Sequence, residues 1–150
     1  MENPSDADLR TILRATRIIA VVGWSPNPDR PSHGVAAYLK SQGYRVIPVN
    51  PGQAGVMALG ETVRAGLADI TEPVDMVDIF RRSSEVDGVV TEAIAALPQL
   101  RTIWMQLGVS DDLAAARAGA AGIAVVMNRC PAIEIPRLGL EVSGRENPGH

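Results

Sequence analysis

The sequence predicts an α/β domain: a doubly wound, mainly parallel five-stranded sheet with helices on both faces, three layers in a single domain. Three observations lead there. β-Branched runs ending in turn residues alternate with stretches of helical apolar period across the 150 residues, without internal repeat, low-complexity segment or linker. Aromatic residues make up only 3% of the chain, so Ala, Val, Ile and Leu must fill the core, as they do in strands buried on both faces. The spacing between successive strands leaves room for a crossover helix, and such crossovers produce parallel neighbours.

Ser5-Asp6-Ala7-Asp8 places a hydroxyl three residues before an acid and opens a first helix to about Ala15, with Leu9, Ile12 and Leu13 on one face. Arg17 to Gly23 then reads as a strand buried on both faces. A polar, proline-rich loop from Trp24 leads to Ser32, which caps a helix carrying Val35, Tyr38 and Leu39 and ending near Gly43. Tyr44 to Val49 is the second strand, stopped by Asn50-Pro51-Gly52. From Gln53 to Leu67 the chain is expected to loop, with at most one short strand near Met57 to Leu59. Val74 to Phe80 is the third long strand. Ser83 or Ser84 caps a helix carrying Val86, Val89, Val90, Ala93, Ile94 and Leu97, which Pro98 ends. Thr102 to Gln106 is the fourth strand, followed by a helix that starts at Ser110-Asp111-Asp112 with acids at the positive dipole end. Gly119 or Gly122 stops it, and Ile123 to Met127 is the last strand. Residues 1–16 are thus a helix packed on the domain, 17–138 the domain itself, and 139–150 a loosely held tail.

Composition removes several functional classes. A net charge of −3 argues against a broad nucleic-acid footprint. The single cysteine, Cys130, excludes an intramolecular disulfide and a cysteine-rich zinc site. No apolar run approaches the roughly twenty residues of a membrane helix. The start, Met1-Glu2-Asn3-Pro4, lacks the basic-then-apolar pattern of a signal peptide, which points to the cytoplasm.

In an open parallel sheet, ligands bind beyond the carboxyl ends of the strands, where strand order reverses. The residues after each strand therefore carry the functional expectation. Gly23-Trp24-Ser25-Pro26-Asn27-Pro28 follows the first strand, and its glycine allows a tight turn and a close approach of amides to an anion. The next glycine is Gly34, so this is not G-x-G-x-x-G; with Lys40 as the single lysine, no G-x-x-x-x-G-K-[ST] phosphate loop exists either. Asn50 stands where an NAD-binding sheet offers an acid to the ribose. Being neutral, it fits an Asx-turn or a site that tolerates a phosphorylated adenosine. Phe80-Arg81-Arg82-Ser83 supplies a guanidinium pair for a phosphate clamp or for solvent. Trp104-Met105-Gln106-Leu107-Gly108 offers amide hydrogen bonds and an apolar wall. In Asn128-Arg129-Cys130-Pro131 the thiol is either a small buried hydrophobe or a thiolate stabilised by Arg129.

A catalytic set does not assemble. The histidines are His33 and His150, there is no G-x-S-x-G elbow, and Asp75 and Asp78, three apart on a strand, face opposite sides.

These strand-end segments, with Ile19 to Asn27, Gly43 to Pro51, Val77 to Ser83, Trp104 to Gly108 and Val126 to Pro131 in order, resemble the stand-alone CoA-binding protein family. Its Rossmann-like domain is similar to the CoA-binding domain of the succinyl-CoA synthetase alpha subunit. The resemblance implies that CoA or an acyl-CoA lies across the carboxyl edge of the sheet. It implies that Gly23, Ser25, Asn27 and Arg30 face the pyrophosphate and 3′-phosphate, and that Asn50 and Pro51 border the adenosine. Phe80 with Arg81 would line the groove, Gln106 and Gly108 would meet the pantetheine, and Asn128, Cys130 and Pro131 would lie nearby. Two positions depart from the family pattern. Trp24 replaces a small residue, and either narrows the turn or stacks on the adenine. Gln53 stands where a synthetase-like lysine would, leaving the phosphates to Arg30, Arg81 or Arg82. The likeness carries over binding of a small nucleotide ligand, not ligase chemistry, and names no protein partner. An NAD(P)-binding module or small oxidoreductase, and a redox protein joined to CoA through a Cys130 mixed disulfide, remain as alternatives.

Overall fold

The computed structural model describes residues 3–142. Its elements follow the expected alternation. Helix α1 (Asp6–Ala15) is capped by Ser5, whose hydroxyl accepts from the Asp8 amide at 3.2 Å. Strand β1 (Ile18–Val22) leads to α2 (Pro31–Ser41) and β2 (Arg45–Val49). A hairpin of β3 (Met57–Ala58) and β4 (Glu61–Thr62) precedes β5 (Met76–Ile79). Then α3 (Ser83–Ala96), β6 (Thr102–Met105), α4 (Asp112–Ala120), β7 (Ala124–Val126) and α5 (Pro131–Arg137) complete the order.

The main sheet runs β2-β1-β5-β6-β7, parallel throughout. Strand order therefore reverses between β1 and β5, and the carboxyl ends of those strands flank the crevice. Strand alternation divides the core into two. Ala20, Ile47, Val77, Ile79 and Ile103 meet Val86, Val90 and Ala93 of α3 and Ala114, Ala115 and Ala118 of α4. On the other face Ile19, Val21, Val46, Met76, Trp104 and Val126 meet Leu9 and Leu13 of α1, Ala36 and Leu39 of α2, and Ile135 of α5. This is a Rossmann-like three-layer domain.

The structure departs from the sequence reading in several places. Helix α5 is absent from that reading because Pro136 lies inside it; the helix is short enough that the missing amide costs little, and Pro131 sits at its first position. Ser32 does not cap α2. Arg30 is the capping residue, Pro31 takes the first position, and Ser32 is buried one residue further in. Arg82, not a serine, precedes α3, while Ser83 Oγ accepts from the Ser110 amide at 3.1 Å. The glycine-rich middle holds two short strands instead of one. Of the tail expected from Gly139, the residues to Val142 are tied down: the Tyr38 hydroxyl donates to Glu141 and the Val142 amide donates to Gln42, both at 2.7 Å. Residues 143–150 lie outside the described residues. No described helix is long and apolar enough to cross a membrane.

An ion-pair network holds the hairpin against the sheet. Arg45 bonds Glu61 and Glu72, and Arg64 bonds Glu72 through both terminal nitrogens at 2.9 Å. The Arg64 hydrogen bonds pull the Glu72 carboxyl down from 4.5 to about 2. A carboxyl depressed in the folded state stabilises above its unfolded value and loses that contribution as pH falls through the folded one. Glu72→Gln is therefore expected to lower the urea midpoint at neutral pH and to differ least from the parent near pH 2. An equal deficit at both pH values would show that the charge contributes nothing.

Candidate functional site

Gly23 sets the geometry of the crevice. Its φ of +87° lies in the left-handed region, and a Cβ there would meet the Phe80 carbonyl oxygen at 2.3 Å. Only a residue without a side chain lets the ends of β1 and β5 approach this closely. The Gly23 and Trp24 amides both donate to the Val49 carbonyl, at 3.0 and 3.2 Å. This corrects one expectation: Gly23 contributes closeness, and its amide is already engaged.

A cleft of about 660 Å³ opens at this reversal, within the roughly 300–1,000 Å³ that small-molecule pockets occupy. From the β1 end it takes Gly23, Trp24 and Ser25; from the start of α2, Arg30, Pro31, Ser32 and Val35. Asn50 enters from β2, and Phe80, Arg81 and Arg82 from β5. Gln106 to Val109 enter from β6, and Cys130 from the end of β7. Asn27, Pro51, Asn128 and Pro131 do not line it.

Those four have other places. Asn27 folds the loop between β1 and α2: its amide donates to Ser25 Oγ at 3.1 Å and its Oδ1 accepts from the Asp29 amide at 2.9 Å. Asn128, at φ +55°, is a strut whose Oδ1 accepts from the Gly108 amide at 2.7 Å. Pro131 begins α5 from a buried position, and Pro51 opens a short 3-10 turn at the surface.

Asn50 has both ends of its amide in use. Its Oδ1 accepts from Gly52 at 2.8 Å, forming the Asx-turn, and its Nδ2 donates to the Trp24 carbonyl at 2.7 Å. It joins the first and second strand ends and leaves no bidentate acceptor for a ribose. Trp24 is 4% exposed and stacks on His33 with ring centroids 6.0 Å apart. It is a packed wall of the cleft, not an open platform. Cys130 is 6% exposed, unpaired, and precedes α5.

The cationic side is uneven. Arg81 is salt-bridged to Glu85, which holds the Glu85 carboxyl below its usual range. Arg82 is largely exposed, with Glu85 3.6 Å away. Arg30 carries no ion pair among the described residues. It stands beside the first turn of α2, where Pro31 has no amide hydrogen and the His33 amide donates to the Arg30 carbonyl at 3.1 Å, which leaves the positive end of the helix dipole facing the cleft. Arginine forks, the N-terminal end of α2 and an apolar wall together suit a phosphorylated ligand with a long neutral arm.

Sequence reasoning missed Pro31, Ser32, Val35, Leu107 and Val109. Ser32 was assigned to capping, and burial of the others in the cleft follows from loop paths that no local pattern encodes. It also missed Asp78, taken as an ordinary strand acid, which has no exposure.

The model of a CoA-binding domain matches residues 17–136. The chain belongs to the CoA-binding domain family. The uncharacterized protein YneT of Bacillus subtilis (strain 168) is 38% identical over 130 residues, covering 87% of this chain and 93% of its own. A solved structure from Thermus thermophilus, titled cell-free ID.343, superposes with a TM-score of 0.84 at 39% identity, covering 90% of this chain and 99% of its own. A dinucleotide forming acetyl-coenzyme A synthetase 1 from Ca. Korarchaeum cryptofilum is similar at a TM-score of 0.61 and 23% identity, covering 76% of this chain and 26% of that one. That last likeness is one of fold.

Proposed function

We propose that the crevice between β1 and β5 binds CoA or an acyl-CoA. One observation carries the reading: in a CoA-binding domain, the cleft at the strand-order reversal combines a helix N-terminus and arginines with an apolar wall. Arg30, Ser25 and the first turn of α2 take the pyrophosphate and 3′-phosphate, assisted by Arg81 and Arg82. Asn50 borders the adenosine, with Pro51 fixing the turn that follows it. Phe80 lines the groove, Gln106 and Gly108 meet the pantetheine, and Cys130 stands at its far end. Gly23, Asn27, Asn128 and Pro131 hold these groups in place without reaching the ligand by their side chains.

Isothermal titration with CoA, dephospho-CoA, NAD and NADP tests this. CoA is expected to bind, and dephospho-CoA to bind about tenfold more weakly, the worth of one charge-assisted hydrogen bond. NAD is expected to give no heat, because Asn50 spends both ends of its amide within the protein and leaves no acceptor pair for its ribose; NADP serves as the control with a phosphorylated adenosine but no pantetheine arm. Binding confined to NAD or NADP overturns the reading. So does equal affinity for CoA and dephospho-CoA, as regards the 3′-phosphate contact.

A further inference from the structure

Ser32 is 4% exposed, yet its hydroxyl neither donates nor accepts a hydrogen bond among the described residues. A buried hydroxyl in that state is costly unless something outside the protein completes it. Among the described residues, Trp24 Nε1 is the one side-chain polar atom that is both sealed off and without a partner. The Ser32 oxygen is therefore reached from outside, and the opening that Ser32 borders is the cleft. The residue holds the second position of α2, a helix of eleven residues, where the dipole favours negative charge. Ser25 borders the same opening from the other end of the loop. Its Oγ accepts from the Asn27 amide, which leaves its hydroxyl proton to donate. No carboxylate lines the cleft among the described residues, whereas Arg30, Arg81 and Arg82 all do.

We propose that Ser32 is a ligand-binding residue whose hydroxyl donates to the diphosphate of the bound nucleotide and not to its 3′-phosphate. This rests on the CoA reading above. The order of the sheet separates the two anions. Strand β1 lies between β2, whose end carries Asn50 at the adenosine, and the pair β5 and β6, whose ends carry Phe80 and Gln106 along the arm. The diphosphate is the covalent link between adenosine and arm, so it crosses the β1 end, where the loop from Gly23 delivers Ser32. The 3′-phosphate branches from the ribose on the β2 side and has no need to pass there. A hydroxyl facing an ionised phosphate oxygen makes a charge-assisted hydrogen bond, among the stronger single contacts available to a neutral side chain.

Ser32→Ala removes the oxygen alone. Because no protein partner is lost, the urea midpoint is expected to stay where it is or to rise slightly. A lower midpoint would show that the fold uses the hydroxyl and would overturn the proposal. CoA and dephospho-CoA share the diphosphate, and each is expected to bind the variant about tenfold more weakly than the parent, the worth of one hydrogen bond. A loss confined to CoA would assign the hydroxyl to the 3′-phosphate, and unchanged affinity for both would make Ser32 a bystander; either result overturns the proposal. Phosphorus NMR of CoA at saturation reads the contact independently of affinity. Between parent and variant the diphosphate resonances are expected to shift while the 3′-phosphate resonance stays in place, and the reverse pattern overturns the assignment. Failure of the unmodified protein to bind CoA overturns instead the reading beneath it.

Discussion

Gly23→Ala is expected to destabilise the domain by about 3 kcal/mol or more, because it combines a left-handed backbone with a collision against main chain. The new Cβ would stand 2.3 Å from the Phe80 oxygen, 3.0 Å from its carbonyl carbon and 3.1 Å from Arg81 Cδ. Neither side can give easily. The Phe80 amide donates to Val22 at 2.8 Å and the Gly23 amide donates to Val49, so both strand ends are held by ladder hydrogen bonds. Gly55→Ala provides the control. Its φ of +91° carries the same backbone cost, yet a Cβ there meets nothing within 4 Å. That variant is expected to lose only about 1 kcal/mol. Urea denaturation of both separates the collision from the dihedral cost. Equal losses would show that the approach of Phe80 to Gly23 relaxes freely, and that the close contact of β1 with β5 does not define the crevice.

The same glycine shows how far the sequence could be read. Five strands appeared as β-branched runs, because a parallel strand buried on both faces is mostly apolar, and each of the five strands of the main sheet falls within its expected run. The carboxyl-edge cleft followed from topology, and eleven strand-end and loop positions named from sequence, from Gly23 to Cys130, do line it. What local pattern could not supply was the use to which each group is put. The Gly23 amide looked free for an anion and is bonded across to Val49. Asn128 looked like a ligand contact and is a strut for Gly108. Asp78 was read only as facing away from Asp75, and nothing within its own strand reveals that it is wholly buried. Helix α5 was hidden for a simpler reason: a proline in the sixth position of a seven-residue stretch argues against helix, and packing of Ile135 and Leu138 against the sheet overrides it.

Trp104→Ala is expected to cost about 3–5 kcal/mol, the range for removing a large aromatic from a packed core. Trp104 is fully buried on the face of the sheet shared with Leu9, Leu13 and Ile135, so α1 and α5 both lose a packing surface. The ring has a second function that volume alone does not measure. Its Nε1 donates to the Arg129 carbonyl at 2.9 Å, while the Arg129 amide donates to Met105 at 3.3 Å and the Asn128 amide to Val109 at 3.1 Å. These bonds stitch the β6 end to the β7 end, and that seam carries Gln106 on one side and Cys130 on the other. Trp104→Phe keeps most of the volume and removes only the N–H, leaving a buried carbonyl without its donor at a cost of about 1–2 kcal/mol. If the seam positions the cleft, Trp104→Phe weakens CoA binding measured well below its melting temperature, where the folded fraction is unchanged. A Phe variant that is less stable yet binds CoA as tightly as the parent would show that Trp104 serves the core alone, and that the Asn128–Arg129 turn keeps its place without it.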